Sequence, residues 1–397
     1  MSERPSFRAR LVGRIADIDV AAWQAAAQPG GNAGYNPFVD HRFLKALEDS
    51  GAVGPGTGWT PAHIALEDTE GATVGFAPCY LKSHSQGEYV FDHAFADAYE
   101  RAGGRYYPKL QVSAPFTPAT GPRLLAAPGQ DQEAVQSGLA AALQALTRQI
   151  GASSAHVTFI SEAEQALLVR QGFIARTDQQ FHWRNEGYGS YDDFLSALAS
   201  RKRKQLKRER REASAEGMVI RHLTGSDLRE EHWDAFFAFY LDTASRKWGR
   251  PYLNRRFFSL IGEAMPERIL LVLAERAGTP IAGALNFIGG DALYGRYWGA
   301  VEEHPFLHFE VCYHQAIDAA IALKLPRVEA GAQGEHKLAR GYRPVTTYSA
   351  HAFADPGLAR AVKDYLARER RYVAEAHDAL ETATPYRRTP AASEEGA

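Results

Sequence analysis

The densest group of polar residues in this sequence lies between residues 329 and 340, which read EAGAQGEHKLAR. Glu329 ends a short apolar run that predicts a strand, and two glycines then permit a tight turn before a helix that opens at Glu335. An amine that attacks an acyl group has to lose a proton, so a positioned carboxylate or imidazole is needed as a general base. We interpret Glu329 and His336 as candidates for that base.

The same segment holds three further candidate site residues. Lys337 is a candidate for stabilising the charge that develops on the acyl oxygen or for holding the donor. Gln333 and Glu335 are candidate substrate contacts. The alternative interpretation is that Glu335 only caps the helix and that its neighbours are solvated, but glycine and charge that cluster in a predicted crevice favour a site.

A second candidate wall of the site is the predicted strand 293–299, which reads LYGRYWG. Strand alternation predicts that Tyr294, Arg296 and Trp298 share one face. An arginine between aromatic rings can grip a carboxylate or phosphate while the rings pack on an acyl group. We therefore predict a catalytic or donor-holding role for Arg296 and substrate contacts for the two rings, with a salt-bridged arginine on a half-buried strand as the alternative.

The segment HPFLHFEVCYH follows that strand. Pro305 predicts a helix start that leaves His304 near the N-cap, where free backbone N–H groups favour an anion. His304 and Glu310 are therefore candidate substrate-binding residues. These two residues also suggest a metal site with His308 and His314, but positions six apart point about 240° apart around a helix. We predict no metal site, since the ligands do not converge.

The elements that would position these residues occur twice. Residues 62–78 and 270–286 both predict a hairpin with a glycine turn, and each hairpin is followed by a helix, a strand, a helix and a Gly-aromatic pair. The helices and strands concerned are predicted at Gln136–Gln149, His156–Ile160, Glu162–Arg170, Phe309–Leu323, Arg327–Ala330 and Glu335–Ala339. We predict an α/β fold of two domains, 1–186 and 187–384, and a disordered tail, 385–397.

Composition restricts the class of protein. Of 397 residues 45% are apolar and 23% charged, and the net charge is −2, which gives no global field that attracts DNA. No 18-residue apolar run or secretory signal is found, so we predict neither a membrane span nor export. Cys79 and Cys312 are the only cysteines, which excludes a disulfide scaffold and favours a cytoplasmic location.

Positive charge is concentrated in residues 201–212, RKRKQLKRERRE, with eight basic and two acidic side chains. The segment is predicted to belong to one helix, 192–213, after a connection at 178–190. One interpretation is that the basic part, 201–211, contacts the phosphates of a tRNA. The other is a solvated helix, since the charges cover most of its circumference.

In the first half, residues 79–125 show no clean helix, and a long irregular segment is usually functional or flexible. His84, Glu88 and Lys109 are the polar positions that correspond to the second-half site. We predict that they bind the acceptor or the donor without taking part in bond chemistry.

Long blocks of the sequence resemble a known family. RKRKQLKRERREASAEGMVI and FYLDTASRKWGRPYLNRRFFSLIG resemble the Fem-like peptidoglycan aminoacyltransferases. LKSHSQGEYVFDHAFADAYERAGGRYYPKLQ and RVEAGAQGEHKLARGYRP are similar to a bacterial family of N-acyltransferases labelled FemAB-like or peptidoglycan biosynthesis/recognition. The resemblance implies tandem GNAT-like domains, each a twisted mixed sheet flanked by helices, and acyl or aminoacyl transfer to a small-molecule or peptide amine.

The chain departs from the GNAT pattern in one place. GNAT proteins carry a glycine-rich loop that cradles the pyrophosphate of coenzyme A, and no such loop occurs between Trp298 and Tyr313. This departure is compatible with an aminoacyl-tRNA donor, and no permanently bound cofactor is expected. Two alternatives stay open: an acyl-CoA enzyme with an atypical donor site, and a non-catalytic protein that recognises a peptide or cell-wall fragment.

Overall fold

The computed structural model describes residues 6–215, 217–247, 251–331 and 334–387, without the side chains of Lys247 and Glu335. Fifteen strands are present in this part of the chain: β1 Arg8–Val12, β2 Trp59–Pro61, β3 His63–Glu67, β4 Thr73–Ala77, β5 Cys79–Lys82, β6 Lys109–Val112, β7 Leu125–Ala126, β8 Ser154–Ile160, β9 Ile174–Arg184, β10 Met218–Leu223, β11 Ile269–Arg276, β12 Thr279–Ile288, β13 Ala292–Ala300, β14 Arg327–Glu329 and β15 Arg343–Phe353.

The helices in the same part of the chain are α1 Val20–Ala27, α2 His41–Asp49, α3 His93–Arg101, α4 Gln132–Gln149, α5 Glu162–Arg170, α6 Tyr191–Ala197, α7 Ser200–Ala213, α8 Glu230–Lys247, α9 Arg255–Ala264, α10 Leu307–Phe309, α11 Gln315–Ala322 and α12 Pro356–Thr382. A π-helical turn, Glu310–His314, joins α10 to α11. Short 3₁₀ helices cover Ile15–Asp17, Gly225–Asp227, Pro266–Arg268 and Glu335–Arg340.

The strands of the two halves form one large sheet and one small sheet, and the hairpin of the first half, β3–β4, lies in the small one. Eleven strands follow the order β10-β11-β12-β13-β14-β9-β15-β8-β6-β5-β2, and a small sheet has the order β1-β3-β4-β7. In the first half β6 pairs in parallel with β8, and in the second half β13 pairs in parallel with β14. The predicted α/β fold with two related halves is confirmed.

The halves exchange their last strands. β9, from the first half, pairs with β14 of the second half, and β15, from the second half, pairs with β8 of the first half. β9 and β15 lie side by side and antiparallel at the centre of the sheet. The predicted connection at 178–190 is therefore wrong for residues 178–184, which belong to β9 and bury Phe181 and Trp183.

Three other predicted segments differ from the structure. The helix predicted at 192–213 is interrupted, because Leu198 is extended and bridges to Tyr386 between α6 and α7. Residues 79–125 contain the helix α3. Of the tail 385–397, residues 385–387 are in contact with the fold, since Tyr386 Oη donates to Gly341 O at 2.6 Å, and the rest lies outside the described residues.

An aromatic core joins the first-half helices to the second-half sheet. Phe38 packs edge-on against Tyr294 of β13 with ring centroids 5.0 Å apart, and also against Phe287 of β12. Phe43 of α2 contacts Phe287 and Phe257 in the same way. Such pairs add to the hydrophobic stabilisation of the buried rings. One face of β13 is thus fixed by residues from the other half of the chain.

Two buried histidines link β8 and β15 across the exchanged strands. His156 and His351 are cross-strand partners, and their Nδ1 atoms lie 2.7 Å apart, so one ring donates to the other. Burial lowers the pKa of His156 to about 3, and the positive charge of Lys109 acts in the same direction. The folded protein therefore keeps this imidazole neutral at pH values where an exposed histidine is charged.

We expect acid to destabilise the protein through His156. Between pH 6.5 and 3 the unfolded chain binds a proton that the folded chain does not, so the stabilisation is complete above pH 6.5 and is lost as the pH falls. From pH 7 to pH 5 the free energy of unfolding should drop by about 2 kcal/mol through this residue. Urea titrations at pH 7, 6 and 5 measure it. His156→Asn should flatten the dependence, whereas His93→Asn, on an exposed side chain, should not; equal slopes in all three proteins would contradict the assignment.

Candidate active site between two splayed strands

β13 and β14 separate soon after they meet. They pair in parallel only between Ala292–Tyr294 and Arg327–Glu329. Beyond that point the backbone of residues 330–331 bonds to Phe181 of β9 instead of to β13. A wedge therefore opens between residues 295–298 of β13 and residues 329–331. Openings at the carboxyl ends of parallel strands are frequent ligand sites in α/β sheets.

A β-bulge in β13 places Arg296 at this wedge. On β12, Asn286 is opposite Gly295 and Leu285 is opposite Tyr297, so Arg296 has no partner residue. An extra residue in one strand reverses the alternation that follows it. The prediction that Tyr294, Arg296 and Trp298 share one face is therefore wrong, because Tyr294 belongs to the core cluster on one side and Trp298 packs against the cluster on the other side.

The guanidinium group of Arg296 is buried without a partner for two of its nitrogens. Nε and Nη1 are shielded from solvent and make no hydrogen bond. Gly331 lies against Nη2, since a Cβ at Gly331 would be 3.5 Å from it. Burial lowers the pKa of Arg296, but an arginine keeps its charge at neutral pH. Unpaired buried donors are rare in folded proteins and indicate a ligand or a strained site.

Glu329 presents a free carboxylate oxygen beside this cation. Oε1 accepts from Arg327 Nε at 3.0 Å, whereas the buried Oε2 has no hydrogen bond. His182 Nε2 lies 3.8 Å from Oε2. Burial lowers the pKa of His182, so this imidazole is neutral at pH 7. Glu329 is thus oriented by Arg327 with one oxygen left to accept a proton.

Lys337 lies on the side of the wedge formed by residues 330–331. Its Nζ donates to Ala330 O at 2.6 Å and to Gly331 O at 3.1 Å. Burial, together with the positive charge of Arg296, lowers the pKa of Lys337 to about 7. A fourth polar group is Asn286, whose buried Oδ1 lacks a partner and would lie 3.4 Å from a Cβ at Gly295.

The other predicted residues of the second half divide into separate groups. Trp298 and His336 join an aromatic cluster at the start of α10 and α11, in which His308 lies 5.1 Å from the Trp298 ring and 6.2 Å from His336. His336 is exposed, and its Nε2 lies 3.0 Å from Tyr313 Oη. Gln333 and the side chain of Glu335 lie outside the described residues.

The predicted helix start at Pro305 is wrong. The helix begins at Leu307, preceded by Phe306 in a left-handed conformation with φ of 61°. His304 is not at the cap, and its Nε2 lies 2.9 Å from Glu302 Oε2. Pro305 restricts the residue before it and does not by itself fix where the helical hydrogen bonds begin.

Glu310 is buried and paired with the basic helix α7. Its Oε1 accepts from Arg210 Nη2 at 3.0 Å and from Gln315 Nε2. On the same helix Glu209 accepts from Arg340 at 2.8 Å. One oxygen of Glu310 is thus engaged by α7 and by Gln315, whereas its buried Oε2 has no hydrogen bond, and the role of Glu310 as a substrate ligand stays a prediction. The basic side chains that α7 exposes are Arg201, Lys204, Lys207, Arg208 and Arg211.

The polar residues predicted for the first half form a buried ion cluster. Lys109 Nζ donates to Glu88 Oε2 at 2.7 Å, to Asp92 Oδ2 at 2.5 Å and to Ser85 Oγ at 2.8 Å. Lys82 lies 3.4 Å from Glu88 Oε1. We refer to these five residues as the ion cluster. The amine of Lys109 is thus engaged by both carboxylates, whereas Glu88 Oε1 and Asp92 Oδ1 are buried without a hydrogen bond, and a role of Glu88 and Lys109 in substrate binding stays a prediction.

His84 lies beside the ion cluster. Its Nδ1 is 3.3 Å from Lys82 Nζ, and its Nε2 is 3.0 Å from Thr57 O. Burial lowers the pKa of His84, and the charge of Lys82 lowers it further. The ring is therefore a neutral part of the loop that precedes the ion cluster.

Sequence reasoning missed two residues of this region: His182 and Asn286. His182 lies in the segment 178–190, which the sequence predicts as a connection, and Asn286 looks like an ordinary strand residue. Within residues 6–215, 217–247, 251–331 and 334–387, no group of three or more His, Cys, Asp or Glu side chains is arranged to hold a metal. Among the helices of the described segments, none is both long and apolar enough to cross a membrane.

Comparisons with known proteins agree with this architecture. A FemAB-like family described as peptidoglycan biosynthesis/recognition matches residues 14–388. The structure of FemX is similar with a TM-score of 0.53 at 10% identity, over 87% of this chain and 99% of FemX. The C-terminal domain (DUF2156) of a putative lysylphosphatidylglycerol synthetase from Agrobacterium fabrum gives 0.51 at 10% identity, over 87% and 96%.

A tandem GNAT protein from the clavulanic acid biosynthesis pathway has a TM-score of 0.48 at 11% identity, over 88% of this chain and 99% of its own. Among curated proteins no sequence matches. At such low identities the likeness to FemX and to the synthetase domain shows a shared fold.

Proposed function

Since this chain belongs to the FemAB-like family of peptidoglycan biosynthesis/recognition proteins, we propose that it transfers an acyl or aminoacyl group to an amine in the wedge. The observation that carries the proposal is the set of unpaired buried polar atoms there: Arg296 Nε and Nη1, Glu329 Oε2 and Asn286 Oδ1. A folded chain rarely leaves such atoms without partners unless a ligand supplies them.

The proposed reaction is a direct displacement. The acceptor amine forms a bond to the acyl carbon, and Glu329 Oε2 takes the proton that the amine loses. The bond from the acyl carbon to the tRNA oxygen or the CoA sulfur then breaks, and that atom leaves with the electron pair and receives the proton from Glu329. Arg296 and Lys337 stabilise the negative charge on the acyl oxygen. No covalent enzyme intermediate is needed. Burial raises the pKa of the Cys79 thiol to about 12, so this thiol is a poor nucleophile at neutral pH.

The donor is aminoacyl-tRNA in the first form of the proposal and acyl-CoA in the second. The exposed cations of α7 favour the tRNA, since each contact with a phosphate adds salt-dependent affinity. The absence of a glycine-rich loop before α10 also favours it. Both donors are cytoplasmic, and the acceptor is a small molecule or a peptide with a free amine.

A transfer assay tests the proposal. The full chain is incubated with aminoacyl-tRNA carrying labelled amino acids, or with labelled acetyl-CoA, together with lysine-containing cell-wall peptides, and the label on the peptide is measured. Transfer from tRNA that weakens with salt supports the first form, and transfer from coenzyme A supports the second. Peptide binding without transfer from either donor would replace the proposal by the recognition function.

Arg296→Lys is expected to lower the transfer rate by about 10- to 100-fold, because lysine cannot provide the paired donors of a guanidinium and a charge-assisted hydrogen bond contributes about 1.5–3 kcal/mol. The measurement is kcat/KM with the better donor. Arg276→Lys is the matched control, since Arg276 forms an exposed ion pair with Glu302. If Arg296→Lys retains the full rate, the arginine has no part in the reaction.

A further inference from the structure

The loop that approaches Arg296 comes from the other half of the chain and has a strained backbone. Tyr89 has φ of 60°, in the left-handed region that side chains other than glycine rarely adopt. Such a conformation costs about 1–3 kcal/mol and persists only where the surrounding structure imposes it. Tyr89 is followed by Val90, which is buried, so the strained residue is part of the packed fold.

The ion cluster imposes this conformation from both sides. Glu88, directly before Tyr89, and Asp92, three residues after it, both accept from Lys109 Nζ. Burial alone lowers the pKa of Lys109, but the two carboxylates outweigh it and raise the pKa, so the amine stays charged. Because Lys109 lies on β6 of the large sheet, the loop is fixed to that sheet at both ends of the segment 88–92.

A chain of hydrogen bonds connects the same loop to the β-bulge. Phe116 N donates to Gly87 O at 3.1 Å, and Tyr297 Oη donates to Phe116 O at 3.1 Å. Tyr297 directly follows Arg296 on β13. Tyr252 stacks on the Phe116 ring with centroids 5.0 Å apart and planes 8° apart. These hydrogen bonds therefore fix the position of the loop relative to β13 beside Arg296.

The positive charge of Arg296 acts on the phenol of Tyr89. Burial raises the pKa of the Tyr89 phenol, and Arg296 is the charge that opposes this rise most strongly. The Tyr89 side chain is half-buried, whereas Arg296 Nε and Nη1 are shielded from solvent.

We propose that Tyr89 is the wall that the first half supplies to the wedge, held in place by the ion cluster, and that it limits the size of the acyl group beside Arg296. The identity of the ligand, an acyl group, rests on the proposed function. The position of Tyr89 at the wedge rests on the geometry alone. Lys109, Glu88 and Asp92 are positioning residues in this arrangement, because they act through the loop and not on the substrate.

The test substitutes Tyr89→Gly and measures two independent properties. The first is the rate at which phenylglyoxal, a reagent for arginine, modifies Arg296, followed by mass spectrometry of the peptide. A shielded arginine reacts with phenylglyoxal only when the protein opens locally, and the reaction is therefore slow. Removal of the Tyr89 side chain should accelerate the modification of Arg296 about tenfold or more. The second is kcat/KM for a bulky relative to a small acyl donor, which should rise by about tenfold, as expected when a pocket gains room for a methylene group or more.

Ala277→Gly is the matched control. Ala277 also has a positive φ, 51°, but it lies in the turn between β11 and β12. Both substitutions relieve a left-handed backbone, so a general effect of flexibility would appear in both proteins. We expect the control to leave Arg296 modification and donor preference unchanged.

The outcomes separate the two proposals. Unchanged phenylglyoxal reactivity in Tyr89→Gly would overturn the wall, whatever the catalytic activity. Faster modification of Arg296 in a protein that transfers no acyl group from any donor would support the wall and overturn the proposed function. Faster modification of Arg296 with an unchanged preference between bulky and small acyl donors would show that Tyr89 only shields Arg296. It would overturn the role of Tyr89 in selecting the acyl group.

Discussion

Replacing Lys109 by methionine is expected to lower the free energy of unfolding by about 3–5 kcal/mol, the cost of breaking a buried ion pair and leaving uncompensated charge. The Lys109 side chain is 0% exposed, and its amine is the shared donor of Glu88 and Asp92. Methionine fills a similar volume but leaves two carboxylates close together without a counter-ion from β6. Urea denaturation at pH 7 measures the effect.

Two further variants make this expectation specific. Lys45→Met removes an exposed lysine that pairs with Asp49 on α2, and such surface pairs contribute about 0–1 kcal/mol. The triple variant Lys109→Met with Glu88→Gln and Asp92→Asn removes the stranded charges and should recover part of the loss. A cost for Lys109→Met as small as that of Lys45→Met would show that the ion cluster does not hold the loop.

Glu329→Gln is expected to lower the rate of transfer by about 10²- to 10⁴-fold, the range for removal of a general base. The amide keeps the shape of the side chain and an oxygen that can accept from Arg327 Nε, but it cannot take a proton from the amine. The loss should appear in kcat under saturating donor and acceptor, while the midpoint of thermal unfolding stays near that of the unchanged protein.

His336→Gln is the comparison for that prediction, because both residues are candidate bases in the sequence. His336 is exposed and shares a hydrogen bond with Tyr313 Oη, whereas Glu329 Oε2 is enclosed and unpaired beside Arg296. We expect His336→Gln to lower the rate less than tenfold, below the range for a general base. The reverse order of the two effects would transfer the role of base to His336.

Local patterns in the sequence were sufficient to predict the repeated hairpins and the types of residue at the candidate site. Hairpins at 62–78 and 270–286 follow from short-range alternation around a glycine turn, and both exist as β3–β4 and β11–β12. The end of β14 supplies Glu329 to the wedge and the charged segment after it supplies Lys337, as the density of polar residues and glycine indicates. These features depend on neighbours in the chain, so period and turn chemistry suffice to predict them.

The tertiary structure decided which of these residues meet. The β-bulge that unpairs Arg296 and moves Trp298 to the opposite face arises from pairing with β12, which alternation within β13 does not contain. The ion cluster joins the loop before α3 to β6, and hydrogen bonds through Phe116 connect Gly87 of that loop to Tyr297 of β13, in the other half of the chain. Contacts between distant segments determine the burial of the charges, the exchange of strands and the left-handed backbone of Tyr89. Local sequence patterns do not contain the free energy of such contacts and therefore cannot predict these features.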